Sequence, residues 1–287
     1  PIEASPRLGY RLSRSPDIPY PYEVWPLLKT RRFGHRLEYF PTLSSTNSRA
    51  SEHAEDGVPE GLVVVADAQT AGRGRLGRTW HSPPGCNLLF TLLLRPAVPL
   101  EQASSLPLLL ALVLCRTIRH LLPSLSPLIK WPNDLLLNSQ KTAGILCEMQ
   151  AEPDRIRYLL AGIGINVNAT RRNFPNELRS IATSLRMETG QPISRPRLLA
   201  SFLNQLEPLY DEWCQKGFSP FQAEYQEVDA LSGKPIRITQ ANNHFTEGWA
   251  DGIEATGALR IRKPDGTLAL VHSGDAHLLP LRKDFVL

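Results

Sequence analysis

Asp134-Leu-Leu-Leu-Asn138, Ala143-Gly-Ile-Leu-Cys-Glu-Met149 and Ile156-Arg-Tyr-Leu-Leu-Ala-Gly-Ile-Gly-Ile-Asn166 are three short runs rich in Leu and Ile, and no helical stretch separates them. Parallel neighbours need a long crossover, so strands that succeed one another this closely pair antiparallel. Working outward, His35–Phe40, Gly61–Asp67, Asn87–Arg95 and Leu128–Trp131 are further strand candidates. Helical patterns cover Thr46–Glu55, Glu101–Leu122 and Arg195–Lys216, the last with Pro208 expected to kink or divide it. The class is therefore α+β, with a mixed, mostly antiparallel sheet rather than a doubly wound one.

The pattern changes after Ser232-Gly233-Lys234. Pro235–Thr239, Thr246–Glu254, Leu259–Arg262 and Thr267–Val271 are short alternating strands between Asn, Gly and Asp-Gly turns, which fits a small all-β barrel. At the other end, Ile2-Glu-Ala4 and Leu8-Gly-Tyr-Arg-Leu12 read as two strands around a Ser-Pro-Arg turn, a hairpin that is marginal alone. Ser13 to Pro26 reads as extended linker. The expected segments are thus 1–35, 36–231 and 232–287.

The chain has 287 residues, 42% of them hydrophobic and 21% charged, enough to bury a sizeable core. A net charge of +4 with dispersed arginines permits a nucleic-acid partner without demanding one. Cys86, Cys115, Cys147 and Cys214 lie far apart with no Cys-x-x-Cys, against a zinc site or disulfide framework. Leu106–Leu122 is interrupted by Arg116, Arg119 and His120 and reads as a core helix, and the N-terminal residues carry no secretory pattern. A cytoplasmic protein is expected.

Gln69-Thr-Ala-Gly-Arg-Gly-Arg-Leu-Gly-Arg-Thr-Trp80 alternates three glycines with three arginines in seven residues, directly after the apolar run Gly61–Ala66. Such glycines let backbone N–H groups approach an anion, and Arg73, Arg75 and Arg78 add planar donor forks. The spacing is that of neither a P-loop nor a Rossmann fingerprint. In Lys130-Trp-Pro-Asn-Asp134, Pro132 is expected to turn Asn133 and Asp134 out of the ladder, making an oxygen-rich corner for magnesium or a ribose. Lys141 follows at a hairpin tip. Gly162 and Gly164, before Asn166, leave room for a flat ligand or simply mark a bulge. Ser44-Ser-Thr-Asn47 precedes a helix, where capping is the default role of the hydroxyls. His53 and His81 have no visible catalytic partner. Cations with polar orienters suit phosphoryl or nucleotidyl transfer without a covalent nucleophile.

Taken together, Ser45-Thr-Asn47, Gln69–Arg75 with Gly77-Arg78 and Trp80, Lys130–Asp134, Lys141-x-x-Gly144 and Gly164-Ile-Asn166 resemble the biotin protein ligases in identity, order and spacing, from about residue 40 to the C-terminus. The resemblance implies a catalytic domain like that of class II aminoacyl-tRNA synthetases followed by an SH3-like barrel. It implies that ATP and biotin, with Mg2+, give biotinyl-5′-adenylate and pyrophosphate, after which biotin passes to a lysine of the biotin carboxyl carrier protein of acetyl-CoA carboxylase. Ser45, Thr46, Asn47, Gln69, Gly72, Arg73, Gly74, Arg75, Lys141 and Gly144 would serve biotin. Arg75, Arg78, Trp80, Asn133, Asp134, Lys141 and Asn166 would serve the nucleotide, with Mg2+ near Asp134. Arg73 and Lys141 are the expected catalytic residues.

Ser44 stands where the family often has Asp. The hairpin at residues 2–12 resembles the wing of the helix-turn-helix in bifunctional ligase-repressors, so a DNA partner is expected only if an upstream helix-turn-helix is present. Sheet edges allow a homodimer. Two alternatives are a lipoate or octanoyl protein ligase-like transferase, whose glycine/arginine loop differs, and a repressor that uses biotinyl-AMP only as effector.

Overall fold

The computed structural model describes residues 2–5, 9–12, 16–240 and 244–280. Leu8 and the Pro6-Arg7 turn of the expected hairpin, residues 13–15 of the expected linker and residues 281–287 lie outside them. In chain order the strands are β1 (Ile2–Ser5), β2 (Gly9–Leu12), β3 (Leu37–Leu43), β4 (Val63–Gln69), β5 (Leu88–Leu94), β6 (Leu128–Lys130) and β7 (Asp134–Leu137). They continue as β8 (Gln140–Ala151), β9 (Ile156–Ile165), β10 (Pro235–Thr239), β11 (Phe245–Ile253), β12 (Leu259–Arg262), β13 (Leu268–Val271) and β14 (Asp275–Leu278). The helices are α1 (Pro21–Val24), α2 (Thr46–Glu55), α3 (Leu100–Ala103), α4 (Leu106–Leu121), α5 (Leu185–Thr189), α6 (Arg195–Lys216) and α7 (Gln222–Val228).

The central sheet has seven strands in the order β3-β4-β5-β9-β8-β7-β6. Only β3 and β4 run parallel, and α2 is the crossover that this pairing requires; β7, β8 and β9 form an antiparallel meander. Side chains alternate across the sheet. On one face Val63, Val65, Phe90, Leu92, Ala161 and Ile163 pack with α4 and α6, and on the other Val64, Leu93 and Leu160 pack with Ala50 and Ala54 of α2. Burial on both faces explains why the strands read as continuous apolar runs.

Three local expectations are corrected. Residues 16–35 are not a free linker: they contain α1, bury Val24 and Phe33 in the main core, and are tied down by Asp17, whose carboxylate and carbonyl receive Arg195 N and its guanidinium. Helix α6 is neither divided nor ended at Pro208. Its middle is pinned from outside, because Glu207 accepts the backbone N–H groups of Arg31, Arg32 and Phe33 at 2.6, 2.9 and 2.9 Å, and Asn204 bonds Leu27 O and Lys29 N. The expected Glu101–Leu122 helix is split into α3 and α4 around Ser104-Ser105, with Pro107 in the first turn of α4, where its missing N–H costs nothing. This is the one described helix stretch long and apolar enough to cross a membrane, and it is mostly buried within the core.

The C-terminal sheet is antiparallel, in the order β13-β12-β11-β10-β14. It shares the main core through Ile236, Ile238 and Ala250, and Trp131 Nε1 donates to Gly257 O at 3.1 Å. The cysteines are free; burial pushes the Cys86 and Cys214 thiols up to about 11 and those of Cys115 and Cys147 to about 12, which leaves them inert at neutral pH.

Candidate functional site

The α2 face of the sheet is floored with glycine. Gly144 and Gly164 are register partners on β8 and β9, and a Cβ on either would come within 2.9 or 2.6 Å of the Trp80 indole. Next along β9, a Cβ on Gly162 would lie 2.2 Å from Asn47 Oδ1. The notches that the sequence offered to a flat ligand or a bulge are therefore filled by protein, the indole of Trp80 in one and the amide of Asn47 in the other. Lys141 Nζ sits 5.2 Å from the Trp80 ring centroid, a cation–π contact.

The glycine/arginine stretch is a hairpin rather than an open cradle of N–H groups. Gly74 N donates to Arg78 O at 2.7 Å and Trp80 N to Gly72 O at 2.9 Å, so these donors are spent within the loop. Gly72 is needed at the neck, where a Cβ would meet Trp80 O at 2.7 Å; the tip turns through Leu76 and Gly77 at φ 55° and 73°. The three arginines diverge. Arg73 reaches outward to Glu148 at 3.1 Å, Arg78 pairs with Asp275 of β14, and Arg75 points inward, 3.4 Å from both Asn133 Oδ1 and Gly274 O. Burial lowers the pKa of Arg75, the mark of a guanidinium held where water is scarce.

Ser45 occupies the N-cap position of α2 yet makes no capping bond through its hydroxyl, contrary to the default reading. Thr46 N and Oγ1 instead meet Gln69 Oε1 at 2.7 and 3.2 Å, and Thr91 on β5, which was not singled out in sequence, contacts Thr46 Oγ1 at 2.8 Å and Asn47 Oδ1 at 2.5 Å. This end of the site is a neutral network of hydroxyls and amides.

At the other end, Asn138 and Ser139 both take positive φ, 48° and 64°, and make the tight turn from β7 to β8. Lys141 is anchored by Lys141 N to Ile181 O at 2.8 Å and Thr183 N to Lys141 O at 3.0 Å. Its Nζ lies 2.6 Å from Asp134 Oδ1. Asp134 stays within the ladder, paired with Lys130 and Gly144, so Pro132 displaces only the turn before it. Asn133 is locked by Nδ2 donating to Ile145 O at 2.8 Å, leaving its oxygen to Arg75. His53 bonds Glu38 at 2.8 Å and His81 bonds Asn173 O at 2.7 Å.

Of the residues expected to serve biotin or the nucleotide, all except Gly72 line one cleft of about 690 Å³; Gly72 faces a cavity on the outer side of the loop. Ile181, Lys234, Asp275, His277 and Leu278 also line the cleft. Their signal was weak, because β14 is four residues long and Ile181 lies outside any strand. Among the described residues no group of three or more His, Cys, Asp or Glu could hold a metal ion. The cleft thus offers hydroxyl and amide partners at one end, and at the other Lys141 and Arg78 on carboxylates, with Arg75 beside neutral oxygens.

Residues 39–168 match the profile of the biotin/lipoate A/B protein ligase family, and residues 231–279 that of the biotin protein ligase C-terminal domain. The chain is 40% identical over 277 residues to the bifunctional ligase/repressor BirA of Bacillus subtilis, covering 96% of this chain and 84% of that protein. It is 34% identical over 228 residues to the biotin–[acetyl-CoA-carboxylase] ligase of Paracoccus denitrificans, covering 77% of this chain and 92% of that protein. Among solved structures, the biotin protein ligase of Aquifex aeolicus in complex with biotin and ATP superposes with a TM-score of 0.72 at 30% identity, covering 85% of this chain and 99% of that one.

Proposed function

The chain belongs to the biotin protein ligase family, and from that premise we propose that it joins biotin to ATP and passes the activated biotin to a lysine of the biotin carboxyl carrier protein of acetyl-CoA carboxylase. One observation carries the reading: a single cleft sets neutral hydroxyls and amides suited to a ureido ring against Lys141 and Arg75, the cations a carboxylate and a phosphate need. The match of residues 231–279 to a biotin-specific C-terminal domain favours biotin over lipoate.

In the first step a biotin carboxylate oxygen attacks the α-phosphorus, the bond to the β-phosphate oxygen breaks, and pyrophosphate leaves. Two unit charges 4 Å apart repel by about 4 kcal/mol at an effective dielectric of about 20, so the anions meet only where cations offset that cost. Lys141 meets both the carboxylate and the α-phosphate, exchanging its bond to Asp134 for them. Arg75 and Arg78 face the departing phosphates, and Arg73 holds the loop over the product. Thr46, Asn47 and Gln69 take the ring end, while Trp80 and Asn166 border the adenine. In the second step the neutral acceptor amine attacks the acyl carbon, the bond to the AMP oxygen breaks, and the amine loses a proton.

Magnesium fits this donor set as a guest of the nucleotide, since it is commonly held by one or two carboxylates together with phosphates and waters, and Asp134 is a carboxylate within the cleft. When bound it neutralises charge on the triphosphate. Incubation with ATP, magnesium and either biotin or lipoate, followed by assays of pyrophosphate and of carrier labelling, tests the reading. Turnover with biotin alone is expected; turnover with lipoate alone would overturn it.

A further inference from the structure

Glu148 lies on β8 beyond the Lys141-x-x-Gly144 motif, and it joins the arginine loop to the hydroxyl and amide end of the site. Its Oε2 accepts Arg73 Nη2 at 3.1 Å and Asn47 Nδ2 at 2.7 Å. The amide of Asn47 cannot turn, because Oδ1 takes the Thr91 hydroxyl at 2.5 Å and is lodged over Gly162, whose missing Cβ makes the space. Thr91 in turn touches Thr46, and Thr46 touches Gln69 at 2.7 Å, four residues before Arg73 on the chain. A closed circuit therefore runs from the arginine loop through Glu148, across the floor of the cleft, and back to the root of the same loop. Asn47, Thr91 and Thr46 are at most 4% exposed, so displacing one of them strains its neighbours rather than recruiting water.

We propose that Glu148 is a positioning residue: it converts occupancy of the Thr46–Gln69 end by biotin into the placement of Arg73, and so into affinity for the nucleotide. The proposal rests on the biotin ligase reading. Ring contacts to Thr46 and Gln69 tighten the Thr46–Thr91–Asn47 segment, which fixes the carboxylate that Arg73 rests on. The loop is then held closed before the second anion arrives.

The test is a pair of calorimetric titrations of the full chain with an ATP analogue carrying a methylene between the α- and β-phosphorus, with and without saturating biotin. In the wild type, biotin is expected to tighten the analogue by about fivefold or more, within the usual range of coupling between sites. Glu148→Gln keeps an acceptor for Asn47 and removes the charge that Arg73 meets. Its melting temperature and biotin affinity should stay near wild type, while the coupling falls to within about twofold of unity. Arg73→Gln breaks the same link from the other side, and the double variant should be no worse than either single one. Wild-type coupling that survives in Glu148→Gln, or its absence from a wild type that binds both ligands, overturns the proposal. A well-folded wild type that binds no biotin takes the functional reading down with it.

Discussion

Replacing Gly164 with Ala adds one methyl group to the floor of the cleft, and the structure fixes what that methyl would meet. The new Cβ lies 2.6 Å from both Cε2 and Nε1 of Trp80, and 2.9 Å from Cζ2. An ordinary carbon contact needs about 3.5–4.0 Å, so the indole must lift by roughly 1 Å. It cannot lift alone, because Trp80 N closes the neck of the arginine loop on Gly72 O at 2.9 Å and Lys141 Nζ lies 5.2 Å from its ring. Overpacking of this kind costs about 1–3 kcal/mol of stability, and a misplacement near 1 Å in a positioned site costs about 100-fold in rate. Pyrophosphate exchange in Gly164→Ala should therefore fall by about two orders of magnitude while the protein remains folded. In a Trp80→Ala background the same substitution has no ring to strike and should cost almost nothing further. An equal penalty in both backgrounds would show that the glycine serves something other than the indole, and the account of the floor would be wrong.

Two further outcomes are expected. Asp229, beside the cleft-lining Ala230 and Leu231, has its carboxyl raised by burial from 3.8 to about 6, so folding favours the protonated form. That stability is fully present below pH 3.8 and is lost as pH rises through about 6, a span worth ~3 kcal/mol. Denaturant titrations of Asp229→Asn should show that this pH dependence between 4 and 7 is gone and that the variant is the more stable protein at pH 8; a wild-type curve in the variant would refute the assignment. Asp275→Asn releases Arg78, whose side chain is 66% exposed in the pair, so melting should change by less than about 1 kcal/mol while KM for ATP rises by at most about fivefold. An unchanged KM would remove Asp275 from the site.

The antiparallel meander was legible because its signals are local: short apolar runs without helix between them pair with their neighbours. Helix α2 was legible to its ends, Thr46 and Glu55, for the same reason. The packing of residues 16–35 was not, since Asp17 finds Arg195 at a separation of 178 residues and neither residue carries a local pattern that names the other. Pro208 misled because local chemistry breaks a helix there, while Glu207 and Asn204 fasten it to a segment far away in sequence. The residues that line the cleft were legible as motifs; their partners were not. Glu148 sits at even spacing from Gly144 on β8 and so shares its face, a clue that needs the strand to be known first. Gly162 and Gly164 read as room for a flat ligand or as a bulge, and nothing local to them could say that Asn47 and Trp80 would fill the space.

The most direct measurement is a split assay on Lys141→Ala. If the crowded cations exist to bring two anions together, pyrophosphate release should fall by about 100-fold or more, the scale for losing one group that stabilises developing charge. Transfer from supplied biotinyl-5′-adenylate to the carrier protein, in which that encounter is already complete, should fall by less than about tenfold. Wild-type pyrophosphate release in the folded variant, or equal losses in the two half-reactions, would contradict the central claim.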